Sequence, residues 1–398
     1  MKSGGPIRYT GVAETQVKEG PLAMKTITEI LGGAQILLGI SFNIQDSFEQ
    51  CLTDEHRCFL AMLRIIEESL PCLSTPYRGR GRFRCEDQPI MRAFLARHYF
   101  RTTTVEGIRN RLRSDPNLRT ICGFVTIPSA ATFSRRLKEF TSGKPMMARV
   151  LNDMVTEYHE GRIVGHLSRD STAIEARETP VNKKKDVSPP VKPKHRRGRP
   201  RKDEVRPEKA PSKMEKQIKE KPSKSLRELD KDCAYGCKKN SQGNVAFWKG
   251  YKLHLDITDL GIPITALVTG ANVHDSQAAI PMEKLSGQKN QHLYSLMDSA
   301  YDAAPIHEFI RAQGRVPLID PNKRRGTDQV TFSPAEKERF KIRTTVERAN
   351  AHLKDWLLPG QIFVRGYQKV SFVLMCGVVC LAALKILQHF VLPELQKT

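Results

Sequence analysis

The chain has 398 residues, 39% of them hydrophobic, with a formal net charge of +22 and a pI near 9.7. That length admits two or three domains and at least one sizeable core. The positive surplus argues against a basic partner and calls for a polyanion, with nucleic acid first and an anionic membrane surface as the rival.

The chain opens Met1-Lys-Ser-Gly-Gly-Pro6 without a secretory pattern, and its first mostly apolar run, residues 30–42, is interrupted by Gly-Gly and Gln. Residues 1–45 read as an N-terminal arm with a helix from Thr26 onward. Residues 46–145 have a helical, arginine-rich pattern that suits a DNA-binding domain, with helices expected over 55–70, 89–100, 104–113 and 129–140. The last begins Pro128-Ser129, where Ser129 is free to cap the first turn. Its hydroxyls and its Arg135 and Arg136 suit entry into a major groove, or the arginines of a basic bundle serve only to hold phosphates. The nine cysteines follow no repeating spacing and read as reduced thiols. Cys233-x3-Cys237 lacks the second ligand pair of a zinc site.

Residues 179–243 form a basic, proline-rich insertion. Between 182 and 224 stand 17 Lys or Arg against 6 Asp or Glu, with seven prolines and almost no large apolar side chains. Such a composition buries too little surface to offset the entropy of ordering, so the segment is expected to be disordered. Within it, Arg197-Gly198-Arg199-Pro200 resembles an AT-hook, whose extended backbone would lay Arg197 and Arg199 along a narrow minor groove. A solvated basic linker is the alternative.

Residues 146–178 and 244–398 have a different texture, strands alternating with helices. Strands are expected over 163–170, 248–258, 262–270, 293–298 and 315–319, and helices over 276–286, 305–313 and 334–356. The apolar run 372–384 is shorter than the roughly 20 residues of a spanning helix and reads as a buried terminal helix. This order suits an α/β ribonuclease-H-like core, a mixed sheet flanked by helices, beside an all-helical N-terminal domain. Asp170 ends the first strand and Asp298 the fourth. At helical pitch Phe340, Arg343, Glu347 and Lys354 fall within about a sixth of a turn, opposite Ile342, Val346, Ala349 and Leu353. Each aspartate alone suits a turn or cap, and the helix alone suits a solvated charged face. Strands placed side by side would bring Asp170 and Asp298 to one edge within reach of Glu347, and the three are expected to form a catalytic and metal-ligating trio, because gathered acids repel unless a cation joins them. Mg2+, or Mn2+ in its place, prefers such hard oxygens, and two ions can flank a scissile phosphate.

The spacing Phe340-x2-Arg343-x3-Glu347-x6-Lys354 resembles the Tyr-Arg-Glu-Lys signature of bacterial insertion-sequence DDE transposases. Asp170-Ser171-Thr172 and Asp298 to Asp302 resemble that family's two aspartate motifs, and Gly250 to His254 and Ala271 to Ser276 resemble its strands and following turn. The region 78–140 is similar to the family's helical N-terminal domain. The resemblance implies cleavage and strand transfer at inverted-repeat ends of double-stranded DNA, a homodimer on DNA, two Mg2+ ions and a cytoplasmic, nucleoid-associated protein. It casts Arg343 and Lys354 as phosphate contacts and Phe340 as a ring that stacks on a base without the family tyrosine's hydroxyl. His254, His274 and Asp275 read as structural, and Asp302 as a supporting residue or helix cap. The rival readings are a DNA-binding relative without catalysis and an RNA-directed nuclease of the same fold class.

Overall fold

The computed structural model describes residues 52–71, 73, 85–143, 145–159, 162–180, 211–239, 242–322, 331–358 and 360–395. The N-terminal arm with its expected helix, and the AT-hook-like segment with Arg197 and Arg199, lie outside the described residues.

Six helices come first: α1 (Asp54–Glu68), α2 (Asp87–Tyr99), α3 (Val105–Ser114), α4 (Pro116–Cys122), α5 (Ala130–Phe140) and α6 (Met146–His159). Their starts follow local chemistry, since Thr53, Thr104, Asp115 and Ser129 each accept a backbone N–H of the first turn. Helices α4 and α6 were not among the expected ones. In α4, only seven residues long with Pro116 at its start, the run is too short for its period to register.

The sheet comprises β1 (Ile163–Glu175), β2 (Ala234–Lys239), β3 (Val245–Thr258), β4 (Pro263–Gly270), β5 (Gln291–Met297) and β6 (Val316–Ile319). β3 runs antiparallel to β1, β2 and β4, whereas β5 lies parallel to β1 and β6 parallel to β5. Each crossover from β4 to β5 and from β5 to β6 carries a helix, α9 (Ser276–Lys289) and α10 (Ala304–Ala312). This mixed sheet flanked by helices is the arrangement expected from the sequence. β1 continues five residues past Asp170, because Thr172 and Ile174 extend the inward alternation against Leu253 and Tyr251.

One face of the sheet, carrying Ile174, Tyr251, Leu253, Leu255 and Ile257, joins a core that also contains Phe59, Phe94 and Phe133 of the first helices. Between them lies α13 (Tyr367–Ile386), the terminal helix expected from the run 372–384. With its continuation to Val391 it is long and apolar enough to cross a membrane, yet 83% of its most apolar window is buried inside the fold. Phe372 packs edge-on against Phe94 at 5.9 Å. Nearby, His98 of α2 donates Nδ1–H to the Leu357 carbonyl at 2.6 Å. The opposite face packs a smaller cluster of Ala279, Ile280, Met297, Tyr301, Ile306 and Ile310.

The basic insertion differs from expectation at its C-terminal end. Instead of disorder, residues 213–219 and 222–228 form α7 (Lys213–Lys219) and α8 (Pro222–Glu228). Ser212 and Glu215 make a reciprocal capping box that starts α7. Lys284 of α9 then donates to the carbonyls of Gln217, Ile218 and Glu220 at 2.7–2.8 Å, closing the end of that helix. Met214 and Ile218 add apolar contact with the smaller cluster. Mean composition over the insertion hides these two apolar residues at helical spacing and their one long-range cation.

Candidate active site

The parallel register of β1 on β5 aligns Ser168 with Leu296. Two residues further along each chain stand Asp170 and Asp298, on the same side of neighbouring strands. Asp298 also caps the short 3-10 turn Ser299–Tyr301, accepting the Ala300 N–H at 3.1 Å. It therefore combines the cap role open to any strand-end aspartate with a place beside a second acid.

Across this edge runs α12 (Thr344–His352), reached through α11 (Pro334–Phe340) and a 3-10 turn at Lys341–Arg343. Val346, Ala349 and Leu353 are buried, the apolar stripe expected from the sequence. Thr345 approaches Ser168 at 3.4 Å, and Asn350 Nδ2 donates to Asp170 Oδ2 at 3.0 Å, so the helix is fastened to β1 at the acid and two residues before it. The expected single helix over 334–356 thus changes winding twice, tightening before α12 and widening to a π-helical turn at Leu353–Leu357.

The two aspartates are electrostatically joined. Burial and then the Asp298 charge push the Asp170 carboxyl up to about 6. Burial also raises Asp298, against the pull of Arg343 and with a further push from Asp275. Glu347 is half-exposed and pairs with Arg343 at 2.6 Å. Among the described residues no group of three or more ligating side chains lies at metal-holding distance. The structure therefore brings Asp170 and Asp298 together and places Glu347 on the adjoining helix, one ion pair away. Asn350 Oδ1 is buried beside Asp170 without a hydrogen-bond partner. An orphaned amide oxygen next to two repelling carboxylates is a hard-oxygen donor set that a divalent cation satisfies.

The other expected contacts divide. Phe340 packs on Phe332 at 5.0 Å and carries the Arg343 guanidinium 5.8 Å over its ring. Lys354 lines a cleft of about 210 Å³ with Arg97, Arg101 and Trp356, and the Arg101 guanidinium lies 3.2 Å over the Trp356 ring. Arg135 is exposed. Arg136 is buried between Asp87 and Glu139, where it ties α5 to α2. Cys233 is buried and Cys237 exposed, both as free thiols.

A family model described as the transposase DDE domain matches residues 166–382, more than half of the chain. The chain belongs to the transposase DDE domain family. No curated protein and no solved structure matched it. The transposase match begins in β1 and ends in α13, so it takes in both aspartates, the insertion and α12. Membership implies an enzyme that cuts and joins DNA, and the mixed sheet is consistent with the ribonuclease-H-like core of such a transposase.

Sequence reasoning missed a charged cluster beneath the acids of this transposase. Arg169, next to Asp170 but on the opposite face of β1, grips Asp256 with two bonds of 2.6 and 2.7 Å and reaches Glu283 at 3.0 Å. All three are 0–1% exposed. Glu283 also meets His292 at 2.9 Å and Arg315 at 3.1 Å. The one available signal was an arginine at an inward position of a buried strand, with its partners 87 and 114 residues away. Asp275 was read as structural, and it sits where Lys252 bonds it at 3.0 Å. Burial works against its charge, but His254, Lys252 and a Ser171 hydrogen bond hold it below the usual range.

Three buried histidines give this fold a pH dependence. Burial lowers His98 to about 3 and His159 and His254 to about 4. Below the ordinary histidine value near 6.5 the unfolded chain binds protons that these folded rings refuse, so stability falls as pH drops from about 6.5 toward 4. Asp170, raised to about 6, works oppositely and offsets only part. Urea midpoints are expected to decline steadily between pH 7 and 4.5, and a flat or rising profile would contradict this account.

Proposed function

We propose that this transposase cleaves DNA at the inverted-repeat ends of its element and joins the freed strand to a target, using Asp170, Asp298 and Glu347 to hold two Mg2+ ions, with Mn2+ as a substitute. The observation that supports the reading is the β1–β5 register, which ends at Ser168–Leu296, two residues short of Asp170 and Asp298, with the helix bearing the third acid nearby. Bound there, such ions supply Lewis-acid activation of an attacking oxygen and stabilisation of the leaving one. The protein's own part is positional. Asn350 fixes the Asp170 carboxylate, Ala300 fixes Asp298, and Arg343 holds Glu347 in reserve beside them.

Arg343, paired with Glu347, and Lys354, in the cleft beside Arg97 and Trp356, are assigned to the phosphates of the element's end, with Phe340 at its border. Arg135 is placed to contact DNA from the helical region, which we assign to residues 46–145, and the segment with Arg197 and Arg199 adds charge for the minor groove. Arg136, committed to Asp87 and Glu139, serves the fold. A homodimer on DNA and a nucleoid location in a bacterial cytoplasm complete the proposal.

Incubation of the purified chain with duplex DNA carrying the element's flanking repeats tests it. Strand nicking that requires Mg2+ and stops with chelator is expected. Tight binding without nicking at any metal concentration would favour a non-catalytic relative instead.

A further inference from the structure

The second strand of the sheet belongs to the insertion and has no use in the chemistry above. β2 pairs with the first half of β3 in the register Tyr235–Lys249, Cys237–Phe247 and Lys239–Val245. Alternation puts Tyr235, Phe247, Val245 and Lys249 on one face of this two-stranded ribbon. That face is bare: Tyr235 is 65%, Phe247 74% and Val245 45% exposed. Phe247 stands diagonal to Tyr235, a spacing at which both rings can serve one ligand.

The other face anchors the ribbon. Trp248 lies across Gly236, where a Cβ would come within 2.4 Å of the indole, and its Nε1 donates to the Tyr251 carbonyl at 3.4 Å. Where β2 takes over from β4 along one edge of β3, Gly250 has a φ of +150° and, on the other edge, leaves no room for a side chain against the Ile174 carbonyl of β1. Beyond that bend, Lys238 lies near enough to Asp170, Asp298 and Lys354 for its charge to act on all three.

We propose that the outer face of the β2–β3 ribbon binds unpaired DNA near the acids, with bases stacking on Tyr235 and Phe247 and a phosphate meeting Lys249, while Lys238 on the opposite face adds positive charge nearby. The proposal rests on the transposase reading and names the form of DNA its site holds. Rings stack on a base only once that base has left its own duplex, and aromatic planes interleaved with cations are the usual equipment for single strands. The lysines match a polyanion. Three exposed apolar side chains fall far short of the roughly 800 Å² per partner of a stable protein interface, so a second copy is the poorer occupant.

Fluorescence anisotropy of the full chain with single-stranded (dT)20 and with a blunt 20-base-pair duplex tests this. The Tyr235→Ala/Phe247→Ala variant is expected to lose about tenfold or more in (dT)20 affinity and less than about twofold on the duplex. The Tyr235→Trp/Phe247→Trp variant, which keeps a ring at each place, should bind (dT)20 at least as tightly as the natural chain. Equal losses on both DNAs, unchanged (dT)20 affinity in the alanine variant, or weakened binding in the tryptophan variant would each overturn the assignment. So would a loss of dimer mass in sedimentation with (dT)20 affinity intact, since the face would then join copies. Mg2+-dependent nicking by the natural chain separates the two levels: if nicking occurs and ring removal does nothing, only the ribbon assignment fails. If no nicking occurs, the transposase reading fails whatever the rings do.

Discussion

Replacing Asp170 with asparagine is expected to abolish DNA cleavage while leaving the fold at least as stable as before. A bound ion supplies several kcal/mol of charge stabilisation, and each step of about 1.4 kcal/mol is a factor of ten, so the rate should fall by at least about a thousandfold. Stability should move the other way. Asp170 ionises against burial and the Asp298 charge, and a neutral isostere removes that repulsion while its carbonyl oxygen still accepts from Asn350. A rise of a few degrees in the thermal midpoint at pH 7.5 is expected, on the order of what 1 kcal/mol gives in a protein this size. DNA affinity should stay within about twofold. Parallel loss of binding and cleavage, or a lowered midpoint, would show that Asp170 serves the fold and not the reaction.

Replacing Arg169 with leucine is expected to have the opposite balance, a large loss of stability. Asp256 and Glu283 are sealed from water and rely on that guanidinium, and taking one partner from a buried ion pair costs about 3–5 kcal/mol because the remaining charge is stranded. Glu283 keeps His292 and Arg315, whereas among the described residues Asp256 keeps as a side-chain bond only the Ser286 hydroxyl at 2.6 Å. Asp256 is therefore the group that suffers. Arg169→Lys should recover less than half of the loss, since an ammonium cannot make the two-pronged contact. Urea unfolding at pH 7.5 measures both, and a cost below about 1 kcal/mol for the leucine variant would mean that water enters the cluster.

What could be read in advance was what local chemistry decides. Ser129 and Thr104 mark helix starts through their own hydroxyls, and Asp298 follows the end of its strand as expected, whereas Asp170, expected at a strand end, lies inside a β1 that runs on to Glu175. The apolar stripe through Val346, Ala349 and Leu353 settles which side of α12 is buried. Distant partners were not legible. Nothing near Arg169 names Asp256 or Glu283, nothing near Arg136 names Asp87, and nothing in the lysine-rich insertion announces that Lys284 will cap a helix there. The position of Glu347 was half legible: its helix and face follow from periodicity, but its pairing with Arg343 depends on rotamers that spacing does not specify.

The placement of α13 has a consequence for how the molecule is made. This helix follows every strand in sequence, yet it lies between the sheet and the first helices and contributes Phe372, Val373, Leu374 and Leu381 to the apolar interior they share. A ribosome that has finished β6 holds both flanking layers with nothing to lay between them. Assembly at the ribosome must therefore wait for those late residues to emerge, and a nascent chain halted before residue 367 would expose greasy surface and invite a chaperone. A DNA-cutting enzyme built in this way would stay inert until that helix has emerged.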